Sequence, residues 1–267
     1  MSMEAYIQAE AQIHVAAQVI ALTGKNLIEP QADDSQTTAV WHAERQLLIG
    51  RDFSSNGNQF AVFVDPLDFA IGIHRNGAEL DRVHLDGLTY LQCVDSWRKW
   101  LSTAGIANAL DLTLHYALPE TANYAFDVFD KPSEVVLSRW STNRTMANQA
   151  LRTLSETVGS PSDVNIWPHH FDSGTYYELH KTNGVTDRSI GAGFNPADAM
   201  VPEPYFYISG WHKDQSIDYA DTPTMENGQW ILDDWKGAVL PITYVKDPSA
   251  VREFFTTTAS FLMAKLT

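Results

Sequence analysis

The chain has 267 residues, of which 44% are hydrophobic and 11% aromatic, so it can bury one large core or two smaller ones. Its formal net charge is −15, and no run of basic residues offsets this charge locally. Nucleic acids and anionic membranes are both bound mainly through lysine and arginine, so the charge argues against either as a partner.

The cysteine content and the amino-terminal residues predict a cytoplasmic protein. Cys93 is the single cysteine, so the chain cannot form an internal disulfide. The first residues lack the basic cluster that opens a secretory signal, and no stretch is as long and apolar as a membrane span. We expect a small-molecule ligand as partner, and a second copy of the chain is the other candidate. No motif in the sequence indicates a particular cofactor, so the cofactor is left unknown.

Apolar residues at helical spacing predict a first helix over residues 3–23, ended by Gly24. Asn76-Gly77 predicts a tight hairpin turn, because both central residues of such a turn need a positive φ. A second helix is predicted over residues 88–103. The strands predicted in this half cover residues 40–50, 60–64, 68–74, 80–85 and 110–117.

The second half is predicted to begin with a long helix from Glu134 that ends at Gly159. Asp247-Pro248 predicts the start of a closing helix over residues 249–266, because aspartate caps a helix and proline fits its first turn. The strands predicted between these helices cover residues 164–171, 175–180, 189–194, 205–211, 229–232 and 238–244.

Two hairpins echo one another. Each has an aspartate before its first strand, a histidine and a basic residue near the end of that strand, an Asn-Gly turn and an Asp-Arg pair on the return. The echoing residues are Asp68, His74, Asn76, Gly77, Asp81 and Arg82 in one, and Asp172, His180, Asn183, Gly184, Asp187 and Arg188 in the other. Two unrelated hairpins that share a favoured turn are the alternative.

The pattern as a whole predicts an α+β fold with antiparallel or mixed β-sheets flanked by helices. We expect two pseudo-repeated halves, over residues 1–130 and 131–267, packed as one unit. Ligand sites often lie between such halves, so the predicted arrangement also places a pocket there.

The stretch Trp167-Pro168-His169-His170-Phe171-Asp172 is the first candidate for chemistry. On a strand, alternate side chains share a face, so His170 and Asp172 would together form an oriented general base. With His42, and with Glu44 on the same strand face as His42, they could form a metal site of imidazole and carboxylate ligands, although the spacing matches no metal-binding motif. A structural hydrogen bond between histidine and aspartate is the competing interpretation.

The stretch over residues 203–211 is the second candidate. Alternation puts Phe206 and Ile208 on a core face. The opposite face is predicted to carry Tyr205, Tyr207, Ser209 and Trp211. Rings with polar tips suit a cleft wall that stacks on a flat ligand or a sugar and hydrogen-bonds its edges. The alternative is an amphipathic strand whose hydroxyls only reach water.

A short glycine pattern, Gly191-Ala192-Gly193, does not lead into a helix as a dinucleotide-binding motif does. It therefore predicts a strand end or a turn.

Several landmarks follow one another in a specific order. They are Trp41-His42, residues 65–69, Leu118-Pro119-Glu120, Trp167 with Phe171-Asp172, residues 193–196, residues 203–207, Leu240-Pro241 with Tyr244, and the terminal helix. In this order the chain resembles, over nearly its whole length, a widespread bacterial family known only as a domain of unknown function. The chain departs from that family at residues 168–170, where many relatives carry small residues. The resemblance implies one shared architecture and no established activity, cofactor or substrate.

Three functional hypotheses follow from these features. The leading one is a small-molecule-binding protein, with or without enzyme activity. Its pocket between the halves would be lined by Trp41, His42, Trp167, His170, Asp172, Tyr205, Tyr207 and Trp211. The second is a metal-assisted hydrolase that uses His42, His170 and Asp172. The third is a non-enzymatic interaction protein whose aromatic face docks another subunit.

Overall fold

The computed structural model describes residues 2–106, 109–119, 127–160 and 162–266. In these residues it has four α-helices and twelve strands, and the strands pair in antiparallel fashion, so the predicted α+β class is confirmed. The chain divides into two compact units. Unit 1 is Met1–Thr145 with Asn165–Phe171, and unit 2 is Met146–Val164 with Asp172–Thr267. The predicted boundary at residues 130 and 131 falls within unit 1.

Unit 1 combines helices with a meandering antiparallel sheet. Its helices are α1 (Met3–Leu27), α2 (Tyr90–Thr103) and the first part of α3 (Glu134–Val158). Its strands are β1 (Ala39–His42), β2 (Leu47–Gly50), β3 (Phe53–Ser55), β4 (Asn58–Asp65), β5 (Ala70–Arg75), β6 (Ala78–His84) and β7 (Asn165–Ile166). The strand order is β7-β1-β2-β4-β5-β6, and β3 pairs with β4. Helix α1 packs on β2 and β4, and α2 packs on β5 and β6.

Unit 2 combines a five-stranded antiparallel sheet with the last part of α3 and with α4 (Pro248–Leu266). Its strands are β8 (Ser173–Thr182), β9 (Val185–Asn195), β10 (Tyr205–His212), β11 (Gln229–Leu232) and β12 (Lys236–Pro241). The strand order is β8-β9-β10-β12-β11. Helix α4 contacts β9, β10 and β12. Among the described helices of both units, none is both long and apolar enough to cross a membrane.

Both Asn-Gly turns form as predicted. In the β5–β6 hairpin φ is 51° at Asn76 and 80° at Gly77, and in the β8–β9 hairpin φ is 52° at Asn183 and 78° at Gly184. Two consecutive positive φ angles give the turn whose twist matches that of the flanking strands. The duplication that these hairpins suggested stays a prediction.

Two strand predictions in unit 1 are wrong. Residues 40–50 form a hairpin of β1 and β2 rather than one strand, and Gln46 takes a positive φ of 53° in the turn. Residues 110–117 alternate in exposure like a strand but do not pair as a strand with any residue that the structure describes. Instead Asn26 bonds the Asp111 backbone with both ends of its amide, at 2.8 and 2.9 Å, so a side chain replaces the neighbouring strand.

The first helix was expected to end at Gly24, but α1 continues to Leu27. Gly24 lies within α1, where its missing side chain allows a neighbouring segment to pack closely against the helix. A Cβ atom at this position would lie 2.8 Å from the Cα of Thr37 and closer still to the carbonyl oxygen of Gln36. The short 3-10 helix Ser35–Thr37 therefore approaches α1 at a distance that only glycine allows.

We expect Gly24→Ala to lower the free energy of unfolding by about 1–3 kcal/mol, because the added methyl group collides with backbone atoms that cannot rotate away. Alanine favours a helix over glycine by about 1 kcal/mol, so an increase is expected if close packing is unimportant. Urea denaturation measures the difference. As a control, Gln8→Ala on the exposed side of α1 should stay within about 0.5 kcal/mol of the unmodified chain.

Candidate functional site

Trp41 and His42 have different roles in unit 1, although they are adjacent on β1. Trp41 is buried, donates its Nε1–H to Thr145 Oγ1 at 2.9 Å and packs edge-to-face on Trp140. A ring that is enclosed and already hydrogen-bonded is a core residue. His42 is exposed at the end of its strand.

The predicted strand over residues 164–171 is wrong, because β7 ends at Ile166 and a turn follows. The amide of Phe171 donates to the carbonyl oxygen of Trp167 at 2.7 Å, and Phe171 has a positive φ of 60°. The argument from strand alternation that put His170 and Asp172 on one face therefore fails. Trp167 is half-buried and His170 is exposed.

A buried polar network in unit 1 holds this turn in place. Arg144 is fully buried and lies 5.0 Å from the Trp140 ring and 4.8 Å from the Phe171 ring. Its guanidinium group donates to Glu10 Oε1 at 3.0 Å and to the carbonyl oxygen of Phe171 at 2.7 Å. Burial raises the pKa of Glu10, and the charge of Arg144 opposes that rise. A charge this deeply buried requires a partner, so the pair fixes α1, α3 and the turn together.

His14 on α1 completes the network. Its ring stacks on Phe171 at 4.6 Å between centroids, and its Nε2 lies 2.7 Å from the carbonyl oxygen of Pro168. Gln18 donates to the same oxygen at 3.0 Å. Burial lowers the pKa of His14 to about 4, so the ring is neutral and donates its proton to the carbonyl. This histidine supports the fold.

In unit 2, Asp172 and Tyr207 are brought together. The Tyr207 hydroxyl donates to Asp172 Oδ2 at 2.6 Å. Burial, followed by the neighbouring carboxylate, raises the pKa of Tyr207 well above its usual value. Tyr205 is buried and donates to Asp198 Oδ2 at 2.7 Å. Both phenols are therefore protonated donors with fixed partners, and neither can act as a base near neutral pH.

The predicted core face of β10 is confirmed, whereas Tyr205 at the start of the opposite face is buried rather than half-solvated. Phe206 and Ile208 are fully buried, and the Phe206 ring meets Phe255 of α4 edge-to-face. On the opposite face, Tyr207 is half-buried and Trp211 keeps 46% of its surface exposed.

Strand register shows what shares that second face. Directly paired residues on neighbouring strands point the same way. Three rows cross β8, β9 and β10: Glu178–Ser189–Trp211, Tyr176–Gly191–Ser209 and Gly174–Gly193–Tyr207. The face therefore alternates rings with glycine and serine. We call the first two rows the Gly191 patch.

Gly191 leaves a gap in the middle of the patch. Among the described residues, the nearest atom to a Cβ built on Gly191 would be Ser209 Oγ, at 3.9 Å. Gly193 in the next row is different, because a Cβ there would lie 2.5 Å from Tyr207 Cε1. The Tyr207 ring thus covers Gly193, whereas Gly191 stays open between Ser209 and Tyr176, which is 52% exposed.

The patch carries little net charge. Glu178 is its carboxylate, and Lys181 binds it at 2.8 Å. The Lys181 ammonium and the Thr186 hydroxyl lower the pKa of Glu178. Glu178 is therefore ionised at neutral pH and forms an ion pair with Lys181. Ser189 Oγ is buried and has no hydrogen-bond partner within the described chain, so the patch has an unused hydroxyl.

Sequence reasoning missed Tyr176, Ser189 and Gly191. The predicted strand over residues 189–194 is confirmed as part of β9, whereas the interpretation of Gly191-Ala192-Gly193 as a strand end or a turn is wrong. The signal that could have located the patch is the Asn183-Gly184 turn, which fixes the pairing of β8 with β9.

The eight predicted lining residues fall into two sets. Trp41, His42, Trp167 and His170 belong to unit 1, and Asp172, Tyr205, Tyr207 and Trp211 belong to unit 2. A pocket shared by both sets stays a prediction. Across the part of the chain that the structure describes, no three His, Cys, Asp or Glu side chains are grouped so that they could hold a metal ion. The metal-assisted hydrolase has no support from this geometry and stays a prediction from sequence.

Comparisons with protein-family models, with curated proteins and with solved structures find no match for this chain. The resemblance to a bacterial domain family stays a prediction from the sequence landmarks.

We expect acid to destabilise the folded chain through His14. The unfolded chain binds a proton at this ring near pH 6.5, whereas the folded chain does so only near pH 4, so stability is lost as the pH falls from 6.5 towards 4. His14→Phe keeps the stacked ring and removes the titration. Between pH 7 and pH 5 the unmodified chain should lose about 2 kcal/mol more unfolding free energy than the variant.

Urea denaturation at the two pH values measures this difference. As a control, Gln8→Ala changes an exposed residue of α1 that does not titrate, and it should keep the pH dependence of the unmodified chain to within about 0.5 kcal/mol. Equal losses in the His14→Phe variant and the unmodified chain would show that His14 is not held neutral by burial.

Proposed function

We propose that this protein binds a neutral, hydroxyl-bearing ring, of which a pyranose sugar is the simplest example, on the Gly191 patch of unit 2. The observation that carries the proposal is the open gap over Gly191 between an exposed tyrosine and a serine. Strands in a sheet are spaced by about 4.8 Å, so Tyr176 and Ser209 flank the gap with their Cα atoms about 10 Å apart. That width suits one ring lying flat on the strand.

The side chains around the gap match the chemistry of a sugar. Tyr176 and Trp211 present exposed ring faces, on which the C–H faces of a sugar can pack. Ser209, which is half-buried, supplies a hydroxyl that can donate and accept. A site built from a few polar groups between aromatic walls is typical of small-molecule binding.

Charge further restricts the ligand. Glu178 is already paired with Lys181, so the patch offers no free cation to a phosphate or a carboxylate. With no free cation on the patch to offset it locally, the net charge of −15 also disfavours an anionic ligand at this position. A neutral ligand meets neither obstacle.

The arrangement supports binding rather than catalysis. Glu178 in the patch is engaged by Lys181, and Tyr207 in the adjacent row is held as a donor to the carboxylate of Asp172. We therefore propose a binding protein and assign no reaction to it. A cytoplasmic location and association with further copies of the chain stay predictions from sequence.

The proposal can be tested by titrating the full chain with the methyl glycosides of glucose, galactose, mannose and N-acetylglucosamine in a calorimeter. We expect at least one of them to bind saturably. Tyr176→Leu should weaken the binding of that sugar by roughly five- to tenfold, because losing one ring contact costs about 1 kcal/mol of binding free energy.

Tyr244→Leu is the matched control, since Tyr244 is a similarly exposed tyrosine of unit 2 that lies outside the patch. It should bind the sugar with unchanged affinity. If no glycoside binds, or if both tyrosine variants weaken binding equally, the sugar site is not on this patch.

A further inference from the structure

A second hollow in unit 2 lies between α3 and α4. Its volume is about 190 Å³. The residues that line it are Met146, Gln149, Ala150, Thr153, Leu154 and Thr157 of α3, and Pro248, Arg252, Phe255 and Thr256 of α4. We call it the α3–α4 groove. It is separate from the Gly191 patch, which α3 and α4 do not contribute to.

The groove has an apolar floor and a polar rim. Leu154 and Phe255 are buried at its base, and Met146 and Ala150 are half-buried beside them. Met146, Ala150 and Leu154 recur every four residues and so lie on one stripe of α3. The small side chain of Ala150 leaves space between its larger neighbours, which creates the hollow.

Arg252 gives the rim its charge. No acidic side chain of the described chain pairs with it. Because no carboxylate among the described residues pairs with Arg252, its positive charge is available to a ligand at the rim. The guanidinium group presents donors in a fork that matches a carboxylate.

The other rim groups add specificity. Thr153 and Thr157 donate their hydroxyls to helix carbonyls at 3.1 and 3.3 Å, so they offer lone pairs rather than protons to a ligand. The amino-terminal end of α4 is already capped, since Asp247 accepts from the Ser249 amide at 2.7 Å. Arg252 is the positively charged residue among those that line the groove, so we expect it to contribute most to the recognition of an anion.

We propose that the α3–α4 groove binds a small amphipathic carboxylate, with its hydrocarbon chain on the apolar floor and its carboxylate on Arg252. The volume limits the size of the ligand, because 190 Å³ is below the roughly 300–1,000 Å³ of pockets that hold drug-sized ligands. A drug-sized ligand needs more room, whereas a short-chain fatty acid that extends slightly into solvent fits.

The test is a titration of the full chain with hexanoate, followed by calorimetry or by amide chemical shifts. We expect saturable binding that is tighter than for 1-hexanol, which lacks the charge, and for hexylammonium, which has the opposite charge. Arg252→Gln should weaken the binding of hexanoate roughly three- to fivefold, which is the range expected for the loss of an exposed ion pair worth up to about 1 kcal/mol.

Arg152→Gln is the matched control, because Arg152 is an exposed arginine of α3 that does not line the groove. Ala150→Leu fills the hollow from the floor and should abolish hexanoate binding while the circular dichroism spectrum stays unchanged. The proposal is overturned if hexanoate does not bind, if the two arginine variants behave alike, or if Ala150→Leu binds as well as the unmodified chain.

Discussion

The functional account depends on one constraint, which is that the two faces of a β-sheet carry different residues because side chains alternate along each strand. In unit 2, Phe206 and its neighbours use one face to pack against α4. The residues between them are forced onto the other face, where Tyr176, Gly191 and Ser209 meet in one row. Burying the first face thus fixes the position of the open glycine, and with it the shape of the proposed ligand site.

The buried network of unit 1 explains why other conspicuous residues are structural. Arg144 lies without exposed surface between two aromatic rings and binds Glu10 and the carbonyl oxygen of Phe171. Removing one partner of such a pair leaves a buried charge and costs about 3–5 kcal/mol. His14 is neutral and hydrogen-bonded in the same network. Together these bonds hold the turn before Asp172 in place.

Local signals in the sequence were sufficient for the fold class and for both Asn-Gly hairpins, because glycine and asparagine determine the turn by themselves. The candidate ligand site was harder to predict from the sequence. The sequence indicated the ring-bearing face of β10, but Tyr176 and Gly191 lie on other strands and reach this face only through strand pairing. Each lies seven residues from the Asn183-Gly184 turn, so counting outward from the turn would have paired them. The turn at Phe171 could not be predicted, since its positive φ is imposed by the tertiary contacts of Arg144 and His14.

The most direct test of the account is to locate a bound sugar on the molecule. Amide chemical shifts of the ¹⁵N-labelled full chain, recorded while a methyl glycoside is added, identify the residues that sense the ligand. The account predicts that the largest shifts fall on Tyr176, residues 189–191 and residues 209–211, which are close only through strand pairing. Shifts that are largest in unit 1, or that leave Gly191 unchanged at saturation, would contradict it.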